Sequence, residues 1–153
     1  MYSRFEALID SIDKECSFIM EISTGLSVDS NLGQTTDDIK TFRAICIGEQ
    51  NIGEAVIQLG HLTQDRLFEI YPFIDWKAIK GMKNHIVHEY LDIDEAAIIS
   101  TAIEDIPILK KTIQAIKKDV GNNRLNKLIF YIGMAKKDKN FKIPPCKPFS
   151  RKL

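Results

Sequence analysis

A chain of 153 residues is long enough to bury one hydrophobic core without disulfides or metals. With 44% hydrophobic and 27% charged residues it falls outside the disordered and fibrous classes, and no apolar run approaches the ~20 residues of a membrane-spanning helix. The net charge of zero hides an asymmetry: residues 121–153 hold nine Lys or Arg against one acid, Asp138, while residues 1–120 hold 12 bases against 20 acids. The expected organisation is therefore an acidic body, 1–120, carrying a basic C-terminal extension, 121–153. That extension either lies on the body, in the same subunit or a neighbour, or contacts the phosphate backbone of RNA through counterion release. The N-terminal residues alternate charged with apolar side chains and build no signal-peptide core, so the cytoplasm is the expected compartment. Three widely spaced cysteines, Cys16, Cys46 and Cys146, read as buried or incidental thiols.

In chain order, Phe5, Leu8, Ile9, Ile12, Cys16, Ile19 and Met20 recur at helical spacing, predicting a first helix over about Tyr2 to Thr24 with Gly25 as its stop. Thr35-Thr36-Asp37-Asp38 supplies a cap and first-turn acids for a second helix, whose stripe is Phe42, Ile45, Cys46, Ile52, Val56 and Leu59 and whose end is Gly60. Gly48 and Gly53 inside it cost up to ~1 kcal/mol each relative to Ala. Such glycines predict close approach by another helix. Leu62 to Pro72 reads as a connector with one helical turn in it. Asp75 can then cap a third helix with the apolar face Trp76, Ile79, Met82, Ile86, Val87 and Tyr90.

A fourth helix is signalled by Ile98, Ile99, Ala102, Ile103, Ile106, Leu109, Ile113, Ile116 and Val120, ending at Gly121, and Pro107 should kink or restart it. A short last helix over Leu125, Leu128, Ile129 and Ile132 precedes the tail Pro144-Pro145-Cys146-Lys147-Pro148, too rich in proline to stay helical. No segment has strand periodicity. The fold class is all-α, an antiparallel bundle of four to five helices.

The third helix carries the chemistry. Asn84 and His88 are four residues apart and share a face, His85 neighbours His88 at i+3, and Lys83 sits about 100° round the helix on a stem long enough to swing toward the same side. A cation beside an imidazole suits phosphodiester chemistry. The cation steadies charge on the phosphate while a histidine titrating near neutral pH moves protons on and off ribose and leaving oxygens. Spacing by itself leaves an ordinary solvated helix face as the alternative, and for Tyr90 it leaves core packing. Zinc is a weaker reading, because two histidines with Glu89 nearby do not close a tetrahedral site. No metal or other cofactor is expected.

The run from Trp76 to Tyr90, with Lys83-Asn84, three spacers and His88-Glu89-Tyr90, resembles the hallmark of HepT-like proteins of the HEPN superfamily, an Arg-Asn pair followed by His-x-Tyr. Arg43-Ala44-Ile45 with Ile52-Gly53-Glu54-Ala55 is similar to the family's second helix, and Asp105-Ile106-Pro107-Ile108-Leu109 to a turn in its last core helix. The resemblance covers about Tyr2 to Val120. It implies a homodimer whose motif helices face a shared cleft and a toxin that cuts RNA without metal. It further implies silencing by a minimal nucleotidyltransferase antitoxin of the MntA type that adenylylates a tyrosine. By position, His88 becomes the acid/base residue, Asn84 its polar companion, Lys83 the occupant of the arginine's place and Tyr90 the AMPylation acceptor. His85, Lys136, Lys137 and Lys139 are candidate RNA contacts. Lysine lacks the planar five-donor fork of arginine, so the expectation is a weakened or silent ribonuclease. The alternative is a non-catalytic helical module that binds a nucleotide or the nucleotidyltransferase.

Overall fold

The structure is a computed structural model describing residues 3–88 and 92–121, with the backbone alone at Val87 and His88. Among the described residues there are only helices: α1 (Arg4–Ile22), α2 (Thr36–Thr63), α3 (Arg66–Ile70), α4 (Trp76–His88), α5 (Glu95–Ser100), one π-helical turn (Thr101–Asp105) and α6 (Ile106–Gly121). The all-α expectation holds.

Helix starts are written in the sequence. At α1 the Ser3 hydroxyl accepts from the Glu6 N–H at 3.2 Å, and the Ser3 N–H donates to the Glu6 carboxylate at 2.8 Å, satisfying two otherwise orphaned donors. Thr35 and Asp38 repeat this arrangement at α2. Asp75 accepts from the Ala78 N–H at 3.0 Å to start α4, and Asp94 accepts from the Ala97 N–H at 3.2 Å to start α5.

Cross-helix contacts fix the topology. Arg4 donates to Gln58 while Asn51 donates to Glu15, so α1 and α2 run antiparallel. Lys80 lies near Gly60 while Lys83 meets Gly53, which makes α2 and α4 antiparallel too. Lys110 reaches Asp13 and Ser17, whereas Lys117 reaches Asp10 and Asp13, so α6 runs back along α1. Between them lies a single apolar core in which Ile12, Ile19, Ile45, Ile52, Leu59, Ile99, Ile106, Leu109, Ile113 and Ile116 are fully buried. Asp13 sits among charges: desolvation pushes its carboxyl up, but hydrogen bonds from Lys110 and Lys117 outweigh this and hold it below the ordinary range. Cys16 and Cys46 are buried, and burial raises their thiols to about 12 and about 11, which makes them unreactive near neutral pH.

One boundary differs from the sequence expectation. The second helix does not stop at Gly60 but continues to Thr63 and ends where Gln64 and Asp65 both take left-handed backbone. Gly60 serves packing instead, since a Cβ there would lie 2.6 Å from the Asp65 carboxylate and 3.0 Å from the Phe68 ring. The helical turn expected in the connector is there as a short helix, α3, that buries Leu67, Phe68 and Ile70. Pro107 marks the expected restart of the fourth helix, α6 beginning at Ile106. The π-helical turn at Thr101–Asp105 precedes it, with helical backbone at both Thr101 and Ile106, so the wider ladder absorbs the irregularity that an imino acid introduces.

Among the described residues no helix is long and apolar enough to cross a membrane. The predicted helix over Leu125 to Ile132, the proline-rich tail with Cys146, and Lys136, Lys137 and Lys139 lie outside the described residues.

Candidate functional site

Helix α4 buries Trp76, Ile79 and Ile86, and the Trp76 indole N–H donates to the Tyr71 carbonyl at 2.8 Å, which anchors the start of the helix. With that stripe fixed inward, Lys83, Asn84 and His85 fall on the outer and lateral faces. Asn84 and His85 are exposed and Lys83 is half-buried. His88 is the last residue of α4, one helical turn beyond Asn84 and therefore on its side of the helix. Glu89 and Tyr90 lie outside the described residues.

Lys83 does not stand beside Asn84 alone. Its ammonium is directed to α2, where it donates to the Glu54 carboxylate and forms an ion pair with it. Gln58 donates to the other Glu54 oxygen at 3.0 Å, and Arg4 of α1 donates to Gln58 at 3.1 Å. These bonds hold the Glu54 carboxyl below the ordinary range, the Lys83 bond contributing most and the Gln58 bond next.

Glu54 was not singled out as a site residue by sequence. Twenty-nine positions separate it from Lys83, and helical periodicity reports only neighbours within one element. The available signal was its position beside Gly53.

That glycine is what lets α4 come close. A Cβ at Gly53 would meet the Ile79 carbonyl oxygen at 3.0 Å, the Lys83 nitrogen at 3.1 Å and the Lys83 Cβ at 3.2 Å, and two of these are backbone atoms that cannot step aside. Gly48, the other glycine flagged by sequence, faces the Ile19 side chain of α1, whose atoms would lie 2.8 Å from a Cβ there. Both packing expectations are met. Replacing Gly53 by Val should therefore push α4 off α2, costing about 1–3 kcal/mol through overpacking and separating Lys83 from Glu54. Thermal unfolding together with the Glu54 titration by NMR checks this: an unchanged melting temperature and an unchanged Glu54 carboxyl would refute the packing account.

Among the described residues no group of three or more His, Cys, Asp or Glu side chains is arranged to hold a metal ion.

A helical bundle that presents a lysine-asparagine pair one turn before a histidine, with the lysine braced from a neighbouring helix, defines a class of proteins with a polar motif helix on an all-α scaffold. A family model described as Ribonuclease HepT-like matches residues 12–116, from the middle of α1 to the middle of α6. The chain belongs to this HepT-like ribonuclease family. Among its curated relatives, two that carry the printed name "Putative RNase" show the likeness. One, from Caldanaerobacter subterraneus subsp. tengcongensis, is 30% identical over 108 residues, covering 71% of this chain and 89% of that protein. Another, from Methanocaldococcus jannaschii, is 32% identical over 77 residues, covering 50% of this chain and 60% of that protein. No solved structure gave a significant match to the chain.

Proposed function

We propose that this chain is a metal-independent endoribonuclease of the toxin type, with His88 as its acid/base residue and Lys83 as its phosphate-facing cation. The observation that carries this reading is the family match across residues 12–116, which spans α4 and its Lys83, Asn84 and His88 in motif order. In this scheme His88 takes the proton of a ribose hydroxyl as that oxygen attacks the neighbouring phosphorus. The proton is then delivered to the ribose oxygen that departs, and the strand is broken. Lys83 stabilises the charge that grows on the phosphate oxygens in between, and Asn84 holds a polar contact on the same side of the helix as His88. His85, exposed on α4, is one RNA contact of this reading, and Lys136, Lys137 and Lys139 of the basic C-terminal extension are the others.

The reading extends to assembly and control. Two copies pair with their motif helices lining a shared cleft, and a minimal nucleotidyltransferase antitoxin silences the toxin by adenylylating Tyr90 in the cytoplasm. Adding a charged nucleotide two positions from His88 would block the approach of an anionic substrate. Co-expression with a nucleotidyltransferase followed by mass spectrometry of the Tyr90 peptide tests the modification, and sedimentation tests the dimer.

A second reading, a non-catalytic module that binds a nucleotide or the nucleotidyltransferase, is favoured by one observation: the motif cation is a lysine already engaged by a carboxylate. One assay separates the two. RNA incubated with the purified protein in EDTA should be cut by the wild type and cut about 100-fold or more slowly by His88→Ala. If both leave the RNA equally intact, the ribonuclease reading is lost and the binding module stands.

A further inference from the structure

We propose that Glu54 is a positioning residue of this site, fixing the Lys83 ammonium against α2 so that it meets an RNA phosphate from a set place. The inference rests on the ribonuclease reading and adds to it a residue on a different helix.

Three observations support it. The Glu54 carboxylate uses its two oxygens for two different donors, Lys83 on one and Gln58 on the other. Gln58 is in turn held by Arg4, so the carboxylate is braced by a chain of contacts that begins on α1. The backbone beside it is Gly53, whose missing side chain leaves only van der Waals space between α2 and the Lys83 stem. An isolated pair between half-exposed side chains would be loose and nearly worthless. This one is tied at both ends, at the stem by helix packing and at the head by a braced acceptor. An ammonium carries three N–H donors and Glu54 occupies one of them, which leaves the group chemically able to serve a phosphate as well.

The same carboxylate is a negative charge beside an anionic substrate. Glu54 therefore opposes ground-state binding while it orders the cation for the transition state, and the two effects separate experimentally. In Glu54→Gln, a substitution that keeps size and polarity, RNA carrying 2′-O-methyl groups that prevent cleavage should bind about threefold more tightly, because one like charge is gone. On cleavable RNA kcat should fall at least about tenfold, within the ~100-fold that small misplacements of a catalytic group cost. The melting temperature should stay unchanged, since both side chains are partly exposed.

A double-mutant cycle closes the argument. If Glu54 acts through Lys83, then E54Q has no further effect on kcat in a K83M background. An equal loss in both backgrounds, or an unchanged kcat in E54Q alone, overturns the proposal. Should the wild type cut no RNA at all, the ribonuclease reading falls on its own and the binding arm still decides Glu54: absence of tighter RNA binding in E54Q overturns its role beside Lys83.

Discussion

Lys83→Met is expected to slow RNA cleavage by about 100- to 1000-fold, the cost of removing one charge-assisted donor from a transition state, with little change in melting temperature. The stem of residue 83 packs beside Gly53 and methionine reproduces most of it, so the change removes charge and leaves the packing. It also leaves the Glu54 carboxylate without the bond that contributes most to its depressed pKa, and that carboxyl should climb toward the usual range. Lys83→Arg moves the other way. A guanidinium offers five donors in a rigid fork, so it can face Glu54 with one edge and two phosphate oxygens with the other, and cleavage should exceed that of wild type. Single-turnover rates on one RNA, measured in EDTA for all three proteins, check the series. A wild-type rate in Lys83→Met would remove Lys83 from the mechanism and, with it, the reason for proposing Glu54.

Much of the scaffold was legible because it depends on local rules. The Thr35 and Asp75 caps are short-range chemistry between a side chain and N–H groups within three residues, and both helices start where those residues stand. The apolar stripes of α1 and α2 are equally local, and Ile12, Ile19, Ile45, Ile52 and Leu59 are buried as their spacing requires. Gly48 and Gly53 carried a tertiary message in a local form, since glycine inside a helix is unfavourable unless something needs the space. What failed was punctuation decided by the far side of the fold. Gly60 looks like a stop until Asp65 and Phe68 fold back over it, and Gln64 and Asp65 take left-handed backbone without being glycine. The candidate site was legible only along α4. Its partner Glu54 comes from α2, and only the packing of the two helices brings it to Lys83.

Glu49 is the sharpest example of a residue that periodicity places and chemistry must then explain. It stands between Ile45 and Ile52 on the buried face of α2, is 1% exposed, and has one carboxylate oxygen, Oε1, with no hydrogen-bond partner. Burial, with a smaller contribution from Asp105, pushes its carboxyl up to about 9. In the unfolded chain the same group titrates near ~4.3. Between those values the folded protein holds a proton that the unfolded chain releases, so folding weakens as pH rises. The slope is at most about 1.4 kcal/mol per pH unit. The contribution is fully present below the unfolded value and is lost progressively up to about 9.

Asp105, also raised by burial first and by Glu104 and Asp75 next, works in the same direction. Asp13, held low by its lysines, works in the opposite one, its stabilising effect being lost only as pH falls into the acid range. Glu49→Gln supplies a neutral side chain at every pH. Its melting temperature should match or exceed wild type at pH 5.5 and exceed it by several degrees at pH 8.5, at roughly 2–4 °C per kcal/mol for a chain of this size. The difference between the two melting curves reports Glu49 together with its electrostatic neighbours Asp105 and Cys46, and parallel curves from pH 5 to 9 would show that its proton is not the cause. Glu49 lies one helical turn before Gly53, on the helix that braces Lys83.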